Sequence, residues 1–316
     1  MSRERTKTTD NIFLRIAASL FPTKKDNLKR IITKLLFLVS LVTLIISSTY
    51  LIIYFASGQQ QKVIINRSRN LKQSVVSAGS QTWQDFINQM LAENPDFKGW
   101  ITIPNTLVDN PFYQATDDEY YLKHNQLRES SGTGAVYLQS DNVIRGEETD
   151  DNLVFYGHSM KNGSMFGTLA RLRSLSFYQK NPTVQLSTLY STDEKLYDTY
   201  KIYAVFVMNA TSADDNGYMY DIRRRNFSAE SEFNAWVAES FERSLLNTGV
   251  DVQFGDSIIT LITCSEDFDN ARLVVMARKT RESEEPEVDT SKAKVNPKPR
   301  YPKRWYDDRK RPFPYE

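Results

Sequence analysis

Two stretches late in the chain decide the fold: residues 258–264 read IITLITC, and residues 272–277 read RLVVMA. Both are short apolar runs rich in β-branched residues, a composition typical of buried strands. The polar segment SEDFDNA at residues 265–271 lies between them and predicts a loop that closes an antiparallel hairpin. In that hairpin Cys264 and Arg272 would face each other, with Cβ atoms about 4.5–5.5 Å apart.

Further strand-like runs precede this hairpin, with turn-forming residues between them. They are residues 100–103 (WITI), 134–138 (GAVYL), 152–156 (NLVFY), 183–186 (TVQL) and 201–207 (KIYAVFV). Because these runs are short and do not alternate regularly with helices, they indicate an antiparallel barrel or sandwich. Two helices are predicted among them, at residues 165–178 and 228–246; the second has an apolar face and acidic residues in its first turn.

An uncharged segment near the N-terminus, residues 35–55, follows a basic cluster that ends at Lys34. As a helix it would span about 31 Å at 1.5 Å per residue, which is enough to cross a bilayer. A cleaved signal peptide is the alternative, but its apolar region usually has only about 7–15 residues. The basic cluster predicts a single-pass plasma-membrane protein with a cytoplasmic N-terminus and everything after residue 56 outside the cell.

The chain therefore divides into segments of different character. They are a basic cytoplasmic N-terminus (1–30), a transmembrane anchor (31–56), a stalk helix (57–94), a folded domain (95–280) and a Pro-rich charged tail (281–316). The tail has an acidic stretch followed by a basic one and lacks the apolar residues for a core. We therefore expect it to be disordered or extended.

Composition limits the chemistry that the chain can perform. Forty basic and 39 acidic residues give a net charge of +1, so nothing in the overall charge suggests a nucleic-acid partner. The single cysteine excludes an intramolecular disulfide. Together with the two histidines, His124 and His158, it cannot form a metal site unless carboxylates contribute.

Cys264 and His158 both lie where an apolar strand meets a polar segment. A guanidinium beside Cys264 would favour the thiolate, and its N–H groups can hold an oxyanion. His158 follows Gly157, which lets the backbone turn, and is a candidate acid or base for the thiol. His124 lies in a polar stretch and is predicted to be solvated or structural. The alternative is that Cys264 is only a small buried side chain and Arg272 a surface cation.

These residues resemble motifs of the sortases, transpeptidases that attach proteins to the Gram-positive cell wall. TLITC at residues 260–264, YGH at 156–158 and RLVV at 272–275 resemble the cysteine, histidine and arginine motifs, in the same order. Class B is indicated by GHSM and GSMF at residues 157–160 and 163–166, by the helix before the cysteine strand, and by GWITI and PFYQ at residues 99–103 and 111–114. The similarity covers about residues 80–280.

The resemblance implies a mainly β fold: a closed antiparallel barrel of about eight strands, with an N-terminal helix and a helix before the cysteine strand. Residues 95–280 would be the catalytic domain. Cys264 would attack a C-terminal sorting signal of the Asn-Pro-x-Thr type on an exported protein. His158 would transfer protons and Arg272 would stabilise the oxyanion. The acceptor would be an amino group of a peptidoglycan precursor, and no cofactor is expected.

Two features depart from the family pattern: Ile262 stands where class B members often have serine, and the tail after residue 280 has no counterpart. Three other functions remain open. They are a pilin polymerase that uses a pilin lysine as acceptor, a thiol peptidase that hydrolyses its substrate, and a non-catalytic surface adaptor on the same fold.

Overall fold

The computed structural model describes residues 20–78 and 82–315. The chain forms two compact units, Met1–Gln60 and Gln61–Glu316. The first helix, α1, has the bounds Leu28–Ala78. Within the described residues, one helical stretch, Leu28–Ile53, is long and apolar enough to cross a membrane. The predicted anchor at residues 31–56 overlaps this stretch.

The second unit is built on a closed barrel with the strand order β1-β2-β3-β4-β8-β9-β6-β5. These strands are β1 (Phe97–Thr102), β2 (Asp109–Tyr113), β3 (Val136–Leu138), β4 (Asn152–Tyr156), β5 (Thr183–Thr188), β6 (Asp198–Asn209), β8 (Ile258–Cys264) and β9 (Ala271–Lys279). Two short strands, β7 (Leu246–Asn247) and β10 (Lys294–Val295), pair outside the barrel.

Short helices connect the strands. The α-helices are α2 (Trp83–Glu93), α3 (Tyr120–Lys123), α4 (Leu175–Tyr178), α5 (Glu230–Arg243) and α6 (Lys303–Asp308). The 3₁₀ segments are Gly146–Glu148, Gly167–Arg173, Ser212–Asp215 and Thr290–Lys292. The helix predicted at residues 165–178 is therefore a 3₁₀ segment followed by α4, and the one predicted at 228–246 is the shorter α5. Strand β2, which contains Pro111, was not predicted.

The eight-stranded closed barrel is confirmed, but its sheet is mixed. The expectation of a purely antiparallel sheet is wrong at two places, because β2 pairs with β3 and β4 pairs with β8 in parallel. Parallel neighbours need a crossover connection, whereas antiparallel neighbours can be joined by a hairpin. About one hundred residues separate β4 from β8, and they contain β5, β6 and α5. This long crossover allows β8 to run alongside β4 in the same direction.

Side chains alternate between the two faces of the barrel wall, as the strand geometry requires. Phe155 and Leu261 belong to a fully buried cluster inside the barrel. Their neighbours Val154 and Ile262 point outward and join a second cluster with Trp236 of α5. The amphipathic helix α5 therefore covers one outer face of the wall, as its apolar spacing predicted.

The stalk predicted at residues 57–94 corresponds to two helices, the end of α1 and α2. Helix α2 begins at a capping box, in which the Thr82 hydroxyl accepts the Asp85 N–H and the Asp85 carboxylate accepts the Thr82 N–H. It buries Trp83 and Phe86 in a third cluster beside β1. In α1, Ile65 is buried in the interior cluster, and the Arg69 guanidinium donates to the Asp109 carbonyl at 2.7 Å.

The tail, expected to be disordered or extended, has little regular structure in its described residues, 281–315, but it packs against the domain. Ala293 is buried in the interior cluster, and Tyr301 and Trp305 pack against the same cluster. Backbone pairing between β10 and β7 adds a further attachment. The tail cannot form a core of its own. A few apolar side chains are nevertheless sufficient to dock it on a surface that the barrel and α5 have already formed.

Replacing Phe155 tests the interior cluster. Phe155 is fully buried and meets Phe112 edge-to-face at 5.0 Å between ring centroids. We expect Phe155→Ala to lower the free energy of unfolding by about 3–5 kcal/mol, because it leaves a cavity in a packed core. Urea denaturation measures the loss. The control Tyr190→Ala removes a side chain that is 56% exposed, and we expect a change within about 0.5 kcal/mol; equal losses would contradict this account of the core.

Candidate active site

The hairpin of β8 and β9 places Cys264 opposite Arg272. These two residues are the last partners of a ladder that starts at Ile258 and Arg278. The facing position expected from the sequence is therefore confirmed. Every residue of β8 before Cys264 is buried, whereas Cys264 itself is exposed. The thiol thus lies where a rigid strand reaches solvent.

On its other side β8 pairs with β4, the strand that leads to His158. The parallel register sets Tyr156 beside Ile262. Contacts continue past the end of β4, because the Gly157 N–H donates to the Ile262 carbonyl at 3.2 Å and the Thr263 hydroxyl donates to the Gly157 carbonyl at 2.7 Å. Continued by one more step, this register would place His158 next to Cys264.

Alternation along β8 and β9 indicates that Cys264 and Arg272 share one face. Ile262 and Val274 point to the outer face of the wall, and Cys264 and Arg272 lie two residues from them in the same strands, so they continue this face. The strand order β4-β8-β9 sets the end of the cysteine strand between the end of the strand that leads to His158 and the start of the arginine strand, at one rim of the barrel.

The His158 ring is held by a backbone carbonyl. Its Nε2 atom lies 2.9 Å from the Leu122 oxygen, and because a carbonyl can only accept, Nε2 carries the proton. In the neutral imidazole, Nδ1 then has the free lone pair. Gly134 lies against the same side of this ring, since Cδ2 is bonded to Nε2: a Cβ there would be 3.0 Å from His158 Cδ2 and 2.5 Å from the Tyr121 carbonyl.

The second histidine has a structural setting. The His124 Nδ1 atom donates to the Tyr120 carbonyl at 2.8 Å, and its ring stacks on the Tyr120 ring at 4.2 Å. His124 follows the short helix α3 and forms a β-bridge with Ser130. These contacts give His124 a structural role, in agreement with the prediction from its polar surroundings.

A pair of tyrosines beside this rim was not found from the sequence. The Tyr137 and Tyr156 rings stack at 5.2 Å between centroids. Burial raises the pKa of Tyr156 to about 12. Burial also raises the pKa of Tyr137, although the nearby charge of Arg272 opposes this effect. Both phenols therefore stay neutral and form an aromatic wall next to Arg272. No local pattern could reveal them, since they lie on different strands.

A cavity of about 750 Å³ opens beside the thiol. Its lining includes Cys264, Glu266, Leu107, Arg171 and residues 159–163, which follow His158 in the chain. The cavity is large enough for part of a peptide or an amine-bearing ligand. The thiol is therefore accessible from a concave site as well as from the outer face of the wall.

The sortase domain family matches residues 101–280, more than half of the chain, and the chain therefore belongs to the sortase family. Sortase B of Listeria monocytogenes is 30% identical over 197 residues, which cover 62% of this chain and 74% of that protein. Sortase B of Staphylococcus aureus is 25% identical over 241 residues, which cover 75% of this chain and 93% of that protein. The similarity to class B in the sequence motifs is thus confirmed.

Solved structures of sortase B share the fold. Sortase B from Clostridium perfringens superposes with a TM-score of 0.54 at 31% identity, covering 62% of this chain and all of that one (100%). The Staphylococcus aureus sortase B–substrate complex superposes with a TM-score of 0.61 at 21% identity, covering 72% and 100%. At this lower identity the likeness concerns the fold alone.

Two glycines test how the His158 ring is held. Gly134 has φ +56° and no room for a Cβ, whereas Gly132 has open space around it. We expect Gly134→Ala to displace the His158 ring from the Leu122 carbonyl and Gly132→Ala to leave it in place. Imidazole NMR signals report this directly, because only His124 and His158 contribute. Identical His158 signals in the two variants would contradict the proposed support.

Proposed function

We propose that this sortase cleaves a C-terminal sorting signal after threonine and joins the exported protein to an amino group of a cell-wall precursor. Cys264 is the nucleophile, His158 the proton-transfer group and Arg272 the oxyanion donor in this proposal. One observation carries it: β8 holds Cys264 directly opposite Arg272 and, on its other side, continues the ladder that leads to His158. The family membership supports the same reaction class.

The first half-reaction forms a thioester. The Cys264 sulfur attacks the threonine carbonyl carbon, and the negative charge that develops on the oxygen is stabilised by the Arg272 guanidinium. The proton of the Cys264 thiol passes to the free lone pair of His158 Nδ1, and neighbouring positive charge favours the thiolate that attacks. The C–N bond to the next residue then breaks, and the leaving amine takes a proton from His158.

The second half-reaction transfers the acyl group to an amine. Because Nε2 of His158 is engaged by the Leu122 carbonyl, Nδ1 is the atom that gives its proton to the leaving amine and takes one from the incoming amine. We assign the cavity beside Cys264 to this acceptor.

The placement of the enzyme follows from its N-terminal segment. We propose that residues 1–30 are cytoplasmic, that residues 31–56 cross the plasma membrane, and that the stalk and catalytic domain lie outside. The apolar helical stretch Leu28–Ile53 and the basic residues that precede the uncharged segment support this orientation. An extracellular site matches a substrate that has already been exported.

Replacing the thiol tests the proposed nucleophile. We expect the wild-type protein to ligate an Asn-Pro-x-Thr peptide to an added amine, and Cys264→Ala to abolish both ligation and the peptide–enzyme adduct seen by mass spectrometry. The exposed thiol contributes little packing, so the melting temperature should not change. Release of free acid without ligated product would indicate a thiol peptidase instead. Ligation by Cys264→Ala at the wild-type rate would contradict the assignment of Cys264 as the nucleophile.

The two histidines provide a matched comparison. We expect His158→Ala and Arg272→Ala each to lower kcat/KM for ligation by about a hundredfold or more, since each removes proton transfer or oxyanion stabilisation. His124→Ala should stay within about twofold of wild type, because its contacts are with Tyr120 and not with reacting atoms. Steady-state kinetics on folded variants decides; equal losses for both histidines would refute the proposed roles.

A further inference from the structure

The loop that joins Cys264 to Arg272, residues 265–270, is pinned by one carboxylate. Asp267 accepts two hydrogen bonds from the Arg173 guanidinium, each at 2.9 Å, and a third from the Ser265 hydroxyl. Burial alone would raise the pKa of Asp267, but the bonds from Arg173 and Ser265 outweigh it and lower the pKa. Asp267 is therefore ionised at neutral pH, and its hydrogen bond with the Ser265 hydroxyl fixes the residue that follows Cys264.

The C-terminal strap, residues 296–311, contacts the same loop. The Arg309 guanidinium lies 3.5 Å from the Asp267 carbonyl oxygen and 4.3 Å from the centre of the Trp305 ring. The Trp305 ring stacks on Tyr301 at 4.1 Å. Both aromatic rings pack against the interior cluster to which Phe268 of the loop belongs. The strap and the loop thus share one packed surface.

The strap also lies close to Arg173, the partner of Asp267. Burial alone would lower the pKa of Arg173, but Asp267 and the nearby Tyr301 raise it above its ordinary value. Arg173 donates two hydrogen bonds to the Asp267 carboxylate. The direct link from the strap to the loop is the contact of Arg309 with the Asp267 carbonyl.

Backbone hydrogen bonds fix the strap to the rest of the domain. The Asn296 N–H donates to the Leu245 carbonyl at 2.9 Å, and the Arg300 N–H donates to the Glu242 carbonyl at 2.8 Å. Further along, the Arg304 N–H donates to the Asp215 carboxylate at 2.9 Å. The strap is therefore tied to the end of α5 and to the segment before it, and it has a rigid base from which to hold the loop.

We infer that the strap is a positioning element for the sortase reaction, with Tyr301, Trp305 and Arg309 as positioning residues. Cys264 and Arg272 form the last pair of their ladder, and terminal pairs open more easily than central ones. Clamping the loop suppresses this opening and keeps the guanidinium aligned with the thiol. The family match ends at residue 280, so the strap adds to the family's shared domain. The inference rests on the proposed function.

The test compares three full-length variants with wild type. They are Trp305→Ala combined with Arg309→Ala, the minimal change Tyr301→Phe, and the control Lys298→Ala. Lys298 is an exposed cation of the same strap. We expect the double variant to lose about tenfold in kcat with KM for the peptide within about twofold, because misplacement affects the reacting groups and not peptide binding. Tyr301→Phe should show a smaller loss of the same kind, and Lys298→Ala none.

Two measurements separate positioning from general stability. Rates are normalised to folded enzyme by the folded fraction that circular dichroism measures. Amide hydrogen exchange of residues 265–271 should accelerate in the double variant and in Tyr301→Phe, while exchange in β4 stays unchanged. Wild-type kcat per folded enzyme in both variants overturns the inference, whatever their melting temperatures. If the double variant does not fold, Arg309→Ala decides by itself, since it removes only an exposed side chain that contacts the Asp267 carbonyl.

The same measurements distinguish this inference from the proposed function. If wild-type protein fails to ligate any sorting-signal peptide, the proposed function fails, while loop exchange and Cys264 alkylation rates still report whether the strap holds the loop. If wild type ligates and the variants match it in kcat and in loop exchange, the strap inference fails and the proposed function stands.

Discussion

The parallel pairing of β4 with β8 is the constraint on which the site depends. The β8–β9 hairpin can form from local sequence, and it brings Cys264 to Arg272. The histidine strand, β4, joins them only because β8 also pairs with it. This pairing consists of five residue pairs, from Asn152–Ile258 to Tyr156–Ile262. A shift of one residue in this ladder would send the histidine to the opposite face of the wall.

The barrel resists such a shift because both faces of these strands are occupied. Phe155 and Leu261 fill the interior, while Val154 and Ile262 lie in the outer cluster beneath α5. Any slip would exchange the two sets and leave both clusters badly packed. A buried hydrogen bond adds to this, since the Thr260 hydroxyl donates to the Asn152 side chain at 2.8 Å between the two strands. The packing of the core therefore fixes the alignment of the residues at the rim.

Segments outside the shared family domain brace the loops at this rim from two sides. In α1, Arg69 donates to the Leu107 carbonyl at 3.1 Å, and Leu107 lines the cavity beside Cys264. On the other side, the C-terminal strap contacts the loop that follows Cys264 through Arg309. Loops are the least stable parts of a site, so external supports of this kind hold reacting groups in place without altering the barrel.

The sequence by itself determined the features that depend on neighbouring residues. Apolar alternation and turn signals located most strands, the spacing of Phe233 and Trp236 indicated α5, and the short polar loop implied that Cys264 faces Arg272. The uncharged run before residue 56 likewise has the length and composition of a membrane span. These features could be predicted because their partners lie close together in the chain.

The tertiary structure alone decided the rest. The parallel β4–β8 ladder, the Leu122 carbonyl that orients the His158 ring, and the stacking of Tyr137 on Tyr156 join residues from separate elements. The docked tail is the clearest case, because its composition predicts disorder, yet Tyr301 and Trp305 bind a surface that exists only once the barrel has closed. Local sequence patterns encode secondary-structure propensity and the alternation of apolar and polar side chains. Which distant segments meet depends on chain closure and on the free energy of burying surfaces made by several elements together.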